Sequence, residues 1–258
     1  MGRTTLAWLA SCALGLSIAS AAQGAAVIES SDRLEINWTT LRLRYYGEAT
    51  ISSSSDDLKA AEKRAWREGL SYANDAVRNM NIAANEPFAS TPEKLAEDAR
   101  QAAHQVSIGT SSYSTTYFAD GTVRVYLESP LGKALESSAI HFRQKEAPEQ
   151  TMTQFTGIVL SADHVVKPRA AYQVVDEEGK ILFDARDMAQ ASFNKRLMGR
   201  WIRRPTAMEL ADAVGKNPLQ IQVSMKDGKF LVQRDIWEKA TEGYRSLLVS
   251  GIIAIALP

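Results

Sequence analysis

The chain has 258 residues, with 30 basic and 30 acidic side chains, a formal net charge of zero and 45% hydrophobic residues. This length and hydrophobic content suffice for one or two folded domains, and the varied composition excludes an intrinsically disordered protein. The balanced charge gives no basis for nucleic acid as a partner.

The N-terminus has the features of a bacterial secretory signal peptide. Arg3 precedes an uncharged apolar run over 6–22, and Ala19-Ser20-Ala21 supplies the small residues that a signal peptidase reads. We predict a signal peptide over 1–21, with 22–24 as a second cleavage choice, and hence export to the periplasm or cell surface. A buried N-terminal helix or an uncleaved anchor is the alternative.

Cys12 is the single cysteine of the chain. The stretch Leu9-Ala10-Ser11-Cys12 matches the four-residue box that directs lipid attachment, so lipidation is an alternative to cleavage after Ala21. After that cleavage the mature protein has no cysteine, which excludes disulfides, thiolate catalysis and cysteine metal sites.

The first half, 36–136, reads as a strand followed by a long helix. Leu41, Leu43 and Tyr45 alternate with polar residues and predict a strand over 37–51, after a loose lead-in over 27–34. Apolar residues then recur every three or four positions over 52–84, which predicts a helix. Its stripe is rich in Ala and contains Gly69, so we expect the helix to approach a sheet closely.

Three further elements complete this half. Residues 92–105 have a modest apolar helix face, and 106–118 and 122–128 have strand patterns around the turn Ala119-Asp120-Gly121. The predicted order is β-α-α-β-β, a helix layer on an antiparallel sheet.

The second half, 150–258, also alternates strands and helices. Its predicted strands, hairpins and helices are a strand over 153–162, hairpins that turn at 176–179 and 226–228, helices over 187–198, 206–214 and 235–248, and a final strand over 249–257. We therefore predict an α+β protein of two small domains, with helix-on-antiparallel-sheet layers. Whether both halves share one sheet stays open.

No catalytic, cofactor or metal site is predicted. The histidines His104, His141 and His164 have no metal-ligand spacing, and the chain has neither a nucleophile elbow nor a glycine-rich phosphate loop.

Two groups that contain acidic residues are candidates for a catalytic site. Asp163 and His164 are neighbours, which on a strand would point to opposite faces. Asp184, Arg186 and Asp187 read as a solvated charge cluster, with an arginine–carboxylate clamp and a catalytic acid pair as alternatives. A hydrolase that uses Asp163, Asp184 or Asp187 is the corresponding minor hypothesis.

The densest positive segment is 195–204, which surrounds Trp201. Arg and Trp side chains bind phosphate groups, lipid headgroups and protein partners. We predict partner or ligand contact by Arg200, Trp201, Arg203 and Arg204. The alternative is a solvated segment whose tryptophan belongs to the core.

Several motifs resemble a family of exported bacterial proteins. They are Gly47-Glu48-Ala49 before the Ala-rich helix, Arg78-Asn79-Met80 within it, Thr156-Gly157-Ile158-Val159-Leu160, Pro168, Asp176-Glu177-Glu178-Gly179 and Asn217-Pro218-Leu219. Together they resemble flagellar basal-disk and outer-membrane lipoproteins, the N-terminal module of the flagellar H-ring protein, and a segment found beside that module in secreted proteins. A D-A-R-G stretch of that segment is replaced here by Ser161-Ala162-Asp163-His164.

The resemblance implies no cofactor and no catalytic residue. Together with the signal peptide, it predicts a non-enzymatic structural or assembly protein of the cell envelope, periplasmic or associated with the outer membrane and tied to the flagellar outer rings. Envelope proteins or further copies of the chain are the expected partners, with peripheral outer-membrane contact. The alternative function is a periplasmic ligand-binding or peptidoglycan-binding module.

Overall fold

The structure is a computed structural model that describes residues 24–51, 57–78, 106, 108–135, 140, 142–147 and 154–258. The predicted signal peptide, the predicted helix over 92–105, Cys12, His104 and His141 lie outside these residues. The predictions that concern them therefore stay predictions.

Strands and helices together form an α+β fold, as predicted. The strands are, in chain order, β1 (Ala25–Ala26), β2 (Ile28–Ser30), β3 (Leu34–Asn37), β4 (Arg42–Thr50), β5 (Ser111–Tyr117), β6 (Thr122–Pro130), β7 (Ile158–Ala162), β8 (Val174–Val175), β9 (Ile181–Phe183), β10 (Arg200–Arg203), β11 (Leu219–Lys226), β12 (Lys229–Leu231) and β13 (Ile253–Leu257). The helices are α1 (Leu58–Arg78), α2 (Leu131–Ala134), α3 (Gln190–Arg196), α4 (Ala207–Val214), α5 (Arg234–Thr241) and α6 (Arg245–Val249).

The first sheet has five antiparallel strands in the order β2-β3-β4-β6-β5. The predicted loose lead-in over 27–34 is wrong, because β2 and the start of β3 form a hairpin there. β2 has three residues and β3 has four, which is too short for an alternating pattern to stand out among the surrounding polar residues. The sheet therefore begins at Ile28, ahead of the predicted boundary at residue 36.

Helix α1 packs on one face of this sheet through the predicted small-residue stripe. Ala61, Ala65 and Ala73 are fully buried. Where the helix crosses β4, a methyl group on Gly47 would lie 2.0 Å from the carbonyl oxygen of Ala65, and one on Gly69 would lie 2.9 Å from the Gly47 nitrogen. The close approach predicted for this helix is confirmed.

The second sheet has eight strands in the order β1-β10-β13-β7-β11-β12-β8-β9. Its centre, from β10 through β13 and β7 to β11, is parallel. The prediction of antiparallel layers is thus wrong for this half, although both predicted hairpins, β8–β9 and β11–β12, are present. Parallel strands are joined by long connecting segments, so the pattern within one strand does not show which other strand it pairs with.

Two predicted elements are shorter than expected at the C-terminus. The helix over 235–248 divides into α5 and α6 at Gly243, where φ is +77°. The final strand begins only at Ile253, because α6 continues through Val249 and Gly251 turns the chain with φ at +62°.

The two sheets are separate but joined at the N-terminal segment. β1 pairs with β10 in the second sheet, and the next strand, β2, pairs in the first. The Thr39 hydroxyl accepts a hydrogen bond from the Val27 N–H at 2.9 Å and donates one to the Trp201 carbonyl oxygen at 2.6 Å. The described residues therefore form two sheets, not one, and the sheets meet at this junction.

Candidate functional site

Trp201, the centre of the predicted contact cluster, belongs to the hydrophobic core. Its side chain is 1% exposed, and its ring packs against Tyr172 and Phe230. Its indole N–H donates to the Arg169 carbonyl oxygen at 3.1 Å. The prediction of ligand contact by Trp201 is wrong, because β10 is an interior strand whose neighbouring residue Ile202 is buried as well.

The three arginines of the predicted cluster do not form one surface. Arg200 and Arg203 stand at opposite ends of β10, roughly 10 Å apart along the strand and on opposite faces. Arg203 is exposed beside Ala25 of β1. Arg204 follows the strand with φ at +46°, and its N–H donates to the Leu257 carbonyl oxygen at 2.8 Å.

Arg200 lines a cleft of about 240 Å³ where the two halves of the chain meet. We call it the junction cleft. Its charged lining residues are Arg42 at the start of β4, Lys195 and Arg196 at the end of α3, Arg200 at the start of β10, and Asp212 on α4. Gly132, Gly199 and Gly251 also line it, so these positions carry no side chain into the cleft.

A sharp turn brings Arg196 and Arg200 into the same cleft. α3 ends at Arg196, and Leu197 has a positive φ of 51°. Gly199, with φ at +132°, lets the chain enter β10, since a methyl group there would lie 2.6 Å from the Ile253 carbonyl oxygen. Helix end and strand start therefore lie within four residues of each other.

The charges of the junction cleft are unequally compensated. Arg42 forms an ion pair with Glu128 at 3.4 Å, and Arg200 forms one with Asp212 at 2.7 Å. Arg196 has no acidic partner within the part of the chain that the structure describes. Burial lowers the pKa of the Arg196 guanidinium, and the positive charge of Arg200 lowers it further. The cleft thus holds uncompensated positive charge.

Sequence reasoning missed most of this cleft. Lys195 and Arg196 belong to the basic segment 195–204, but nothing in the sequence distinguishes them as contact residues within it. Nothing in the sequence marks Arg42 as a cleft residue, because it has the pattern of any outward-facing strand residue. Only the packing of the two halves places it beside α3.

Asp184 and Asp187 border a second, wider cleft of about 710 Å³ beside α5 and α6. The Asp184 carboxylate accepts hydrogen bonds from the Arg186 N–H at 2.8 Å and its Nε at 2.9 Å. Asp187 accepts the Asp184 N–H at 3.1 Å and pairs with Arg143. This is the arginine–carboxylate clamp given above as an alternative, and it orders the loop by a capping box.

Asp163 and His164 are in contact, contrary to the expectation for neighbours on a strand. The Asp163 Oδ1 and His164 Nδ1 atoms are 2.5 Å apart. β7 ends at Ala162, so the alternation of strand faces no longer applies to this pair. Both side chains are more than half exposed. Within the described residues no other side chain hydrogen-bonds to either, so nothing there completes a catalytic triad.

The outer edge of the first sheet presents a different surface. β5 is its last strand, and no strand of the described residues pairs with the free edge of β5. Tyr113 and Tyr117 on this strand are 56% and 53% exposed, and Ile108 and Phe118 at its ends are exposed too. Ser111–Tyr117 contains no charged residue and no proline.

Two kinds of feature are absent from the described residues. No group of three or more His, Cys, Asp or Glu side chains is arranged to hold a metal ion there. None of the helices described has both the length and the apolar character needed to cross a membrane.

Compared with models of known protein families and with curated proteins, the chain matches none of them. The resemblance to exported flagellar and outer-membrane proteins therefore stays a prediction from the motifs themselves.

Proposed function

We propose that this protein is a non-enzymatic structural or assembly component of the bacterial cell envelope. The predicted signal peptide and the motif resemblance support a periplasmic place, at the outer membrane or the flagellar outer rings. The structural observation that supports assembly most directly is the outer edge of β5, with which no strand of the described residues pairs.

Unpaired strand edges are templates for another strand, and soluble proteins usually protect them with charges or proline. β5 has neither across its seven residues. It does have a bulge between Ser112 and Ser114, which limits regular pairing to the remaining stretch, Ser114–Tyr117. This stretch is where a strand of an envelope partner, or of a second copy of the chain, adds to the sheet.

The backbone geometry selects one residue for testing this role. The Phe118 N–H donates to the Thr122 carbonyl oxygen across the hairpin at 2.8 Å. Because N–H groups of an antiparallel strand alternate in direction, the Thr116 N–H also faces β6 and the Thr115 N–H faces away. Proline at 115 removes an outward donor and leaves the bonds to β6 intact.

The experiment is in-cell crosslinking of the tagged full-length protein, followed by envelope fractionation and identification of the crosslinked chains. We expect the wild type and Thr115→Val, which keeps the N–H, to be recovered with an envelope protein or with further copies. Thr115→Pro should lose that product while its circular dichroism stays unchanged.

Recovery of the wild type alone in the soluble periplasm would contradict the assembly role. Equal crosslinking by Thr115→Pro and Thr115→Val would leave assembly standing but remove β5 as its surface.

A further inference from the structure

At the junction cleft, basic side chains from distant segments of the described residues converge on one cavity. Arg42 comes from the first sheet, and Arg196 and Arg200 come from the second half of the chain. Asp212 is the single acid in its lining. Such a concave basic site differs from a solvated charged face, because its walls exclude part of the water that would screen the charges.

Arg196 is a partly buried positive charge in the junction cleft. No carboxylate of the described residues pairs with it. Partly buried charges are normally paired, because removing them from water costs free energy. The charged residue that acts on the Arg196 pKa is Arg200, which is also positive. An anion supplied from outside removes this cost.

The charge of the cleft indicates the class of anion. Its cations are Arg42, Lys195, Arg196 and Arg200. Asp212 pairs with Arg200, and Glu128 pairs with Arg42 at 3.4 Å but also with Arg44 at 2.7 Å. At least two positive charges remain. A phosphoryl group carries about −1.5 to −2 at pH 7 and offers three acceptor oxygens, which arginine guanidinium groups bind by paired N–H donors.

We propose that the junction cleft binds a phosphoryl group, with Arg196 and Arg200 as the principal ligating side chains and Lys195 and Arg42 at the rim. A cleft of about 240 Å³ has room for a phosphoryl group but is smaller than the pockets of about 300–1,000 Å³ that hold drug-sized ligands, so part of a larger molecule that carries the group extends into solvent. This proposal is independent of assembly through β5.

Free phosphate compounds and phospholipid headgroups share this chemistry, and binding has a mechanical consequence in either case. The anion contacts residues from both halves of the chain, so it stabilises the junction. A ligand that binds only the folded state raises the unfolding midpoint in proportion to the logarithm of its concentration above Kd.

The test is thermal unfolding of the mature protein in increasing inorganic phosphate, with chloride adjusted to hold the ionic strength constant. We expect a saturable rise in the midpoint for the wild type. Arg196→Gln should weaken the apparent phosphate affinity at least about tenfold, the effect of losing one charge-assisted ligand. Arg203→Gln is the matched control, since Arg203 lies on β10 outside the cleft.

Arg200→Gln provides a second variant should Arg196→Gln fail to fold, and it should weaken phosphate binding in the same way. Equal phosphate responses of wild type and a folded cleft variant would overturn the proposal. The proposal would also be overturned if phosphate raises the unfolding midpoint no more than chloride does and wild-type protein shows no Arg196-dependent binding to vesicles.

Sedimentation with phosphatidylglycerol vesicles, compared with phosphatidylcholine vesicles, identifies the source of the phosphoryl group. Vesicle binding by wild type and Arg203→Gln, lost in Arg196→Gln, supports the site with a lipid headgroup as ligand. Arg196-dependent stabilisation by phosphate without vesicle binding supports it with a soluble ligand. Neither vesicle binding nor stabilisation by phosphate would overturn it.

Discussion

At the scale of single residues, Asp184 shows how this protein uses buried carboxylates. Its side chain is 8% exposed. Burial alone would raise the pKa of Asp184, but hydrogen bonds from Arg186 and the positive charges of Arg186 and Arg143 outweigh burial and hold the pKa below its ordinary value. The carboxylate therefore stays ionised and serves the loop as a clamp.

We predict that Asp184→Asn lowers the free energy of unfolding by about 1–2 kcal/mol at pH 7. A carboxyl group whose pKa is depressed by folding stabilises the protein above its unfolded pKa of about 4, and this stabilisation is lost as pH falls through the lower folded value. The deficit of the variant should therefore shrink as pH falls below about 4.

Urea unfolding across pH 2.5–7, a range chosen to bracket the ordinary carboxyl pKa of about 4, measures this difference. Asp227→Asn, at an exposed turn position, is the control and should change little. A deficit of Asp184→Asn that is constant with pH would show that the clamp does not depend on ionisation.

At the scale of secondary-structure elements, the contact between α1 and β4 depends on two glycines. Gly69 lies in the middle of the longest helix, where alanine is intrinsically better by about 1 kcal/mol. Its methyl group would nevertheless lie 2.9 Å from both the Gly47 nitrogen and a methyl carbon of Leu127. Packing and helix propensity thus oppose each other at this position.

We expect packing to prevail, so that Gly69→Ala lowers the free energy of unfolding by about 1–3 kcal/mol, the usual cost of overpacking a core. Chemical denaturation with circular dichroism detection measures this. Ser71→Ala, at an exposed position of the same helix, controls for propensity and should be neutral or slightly stabilising. A stabilised Gly69→Ala variant would mean that helix and sheet separate easily.

At the scale of the whole molecule, Thr39 links the two sheets. Its hydroxyl bridges Val27, between β1 and β2, to the backbone of β10. The backbone N–H of Trp201 also donates a hydrogen bond to the Trp38 carbonyl oxygen at 3.3 Å. The sheets therefore share backbone hydrogen bonds as well as side-chain packing.

We predict that Thr39→Val destabilises both sheets together, by about 1–3 kcal/mol, because it leaves one donor and one acceptor at the junction without a partner. Hydrogen exchange read by mass spectrometry should show equal losses of protection in β4 and β13. Thr241→Val is a control, since that hydroxyl bonds only within its own helix. A loss confined to one sheet would show that the two halves unfold independently.

Much of the local structure follows from the sequence because its causes lie close together along the chain. The period of α1, the capping of α4 by Thr206 and Glu209, and the turns at 176–179 and 226–228 each depend on residues within a few positions. These patterns also identify the α+β class.

The candidate site was largely beyond such patterns. Trp201 and Arg200 are adjacent in the same basic segment, yet one is core and the other lines a cleft. Strand alternation predicts that they differ, but it does not say which faces of β10 are covered. That depends on distant segments that pack on the sheet, such as those that place the rings of Tyr172 and Phe230 against Trp201.

By itself, then, the sequence determined α1, α4, the hairpins β8–β9 and β11–β12 and the fold class, since backbone conformation responds to neighbouring side chains. The tertiary structure decided the parallel centre of the second sheet, the joining of the two halves and the convergence of Arg42 with Arg196. These features depend on which distant segments bury each other's apolar surface, a choice made by the summed packing of the whole chain and by no single stretch of it.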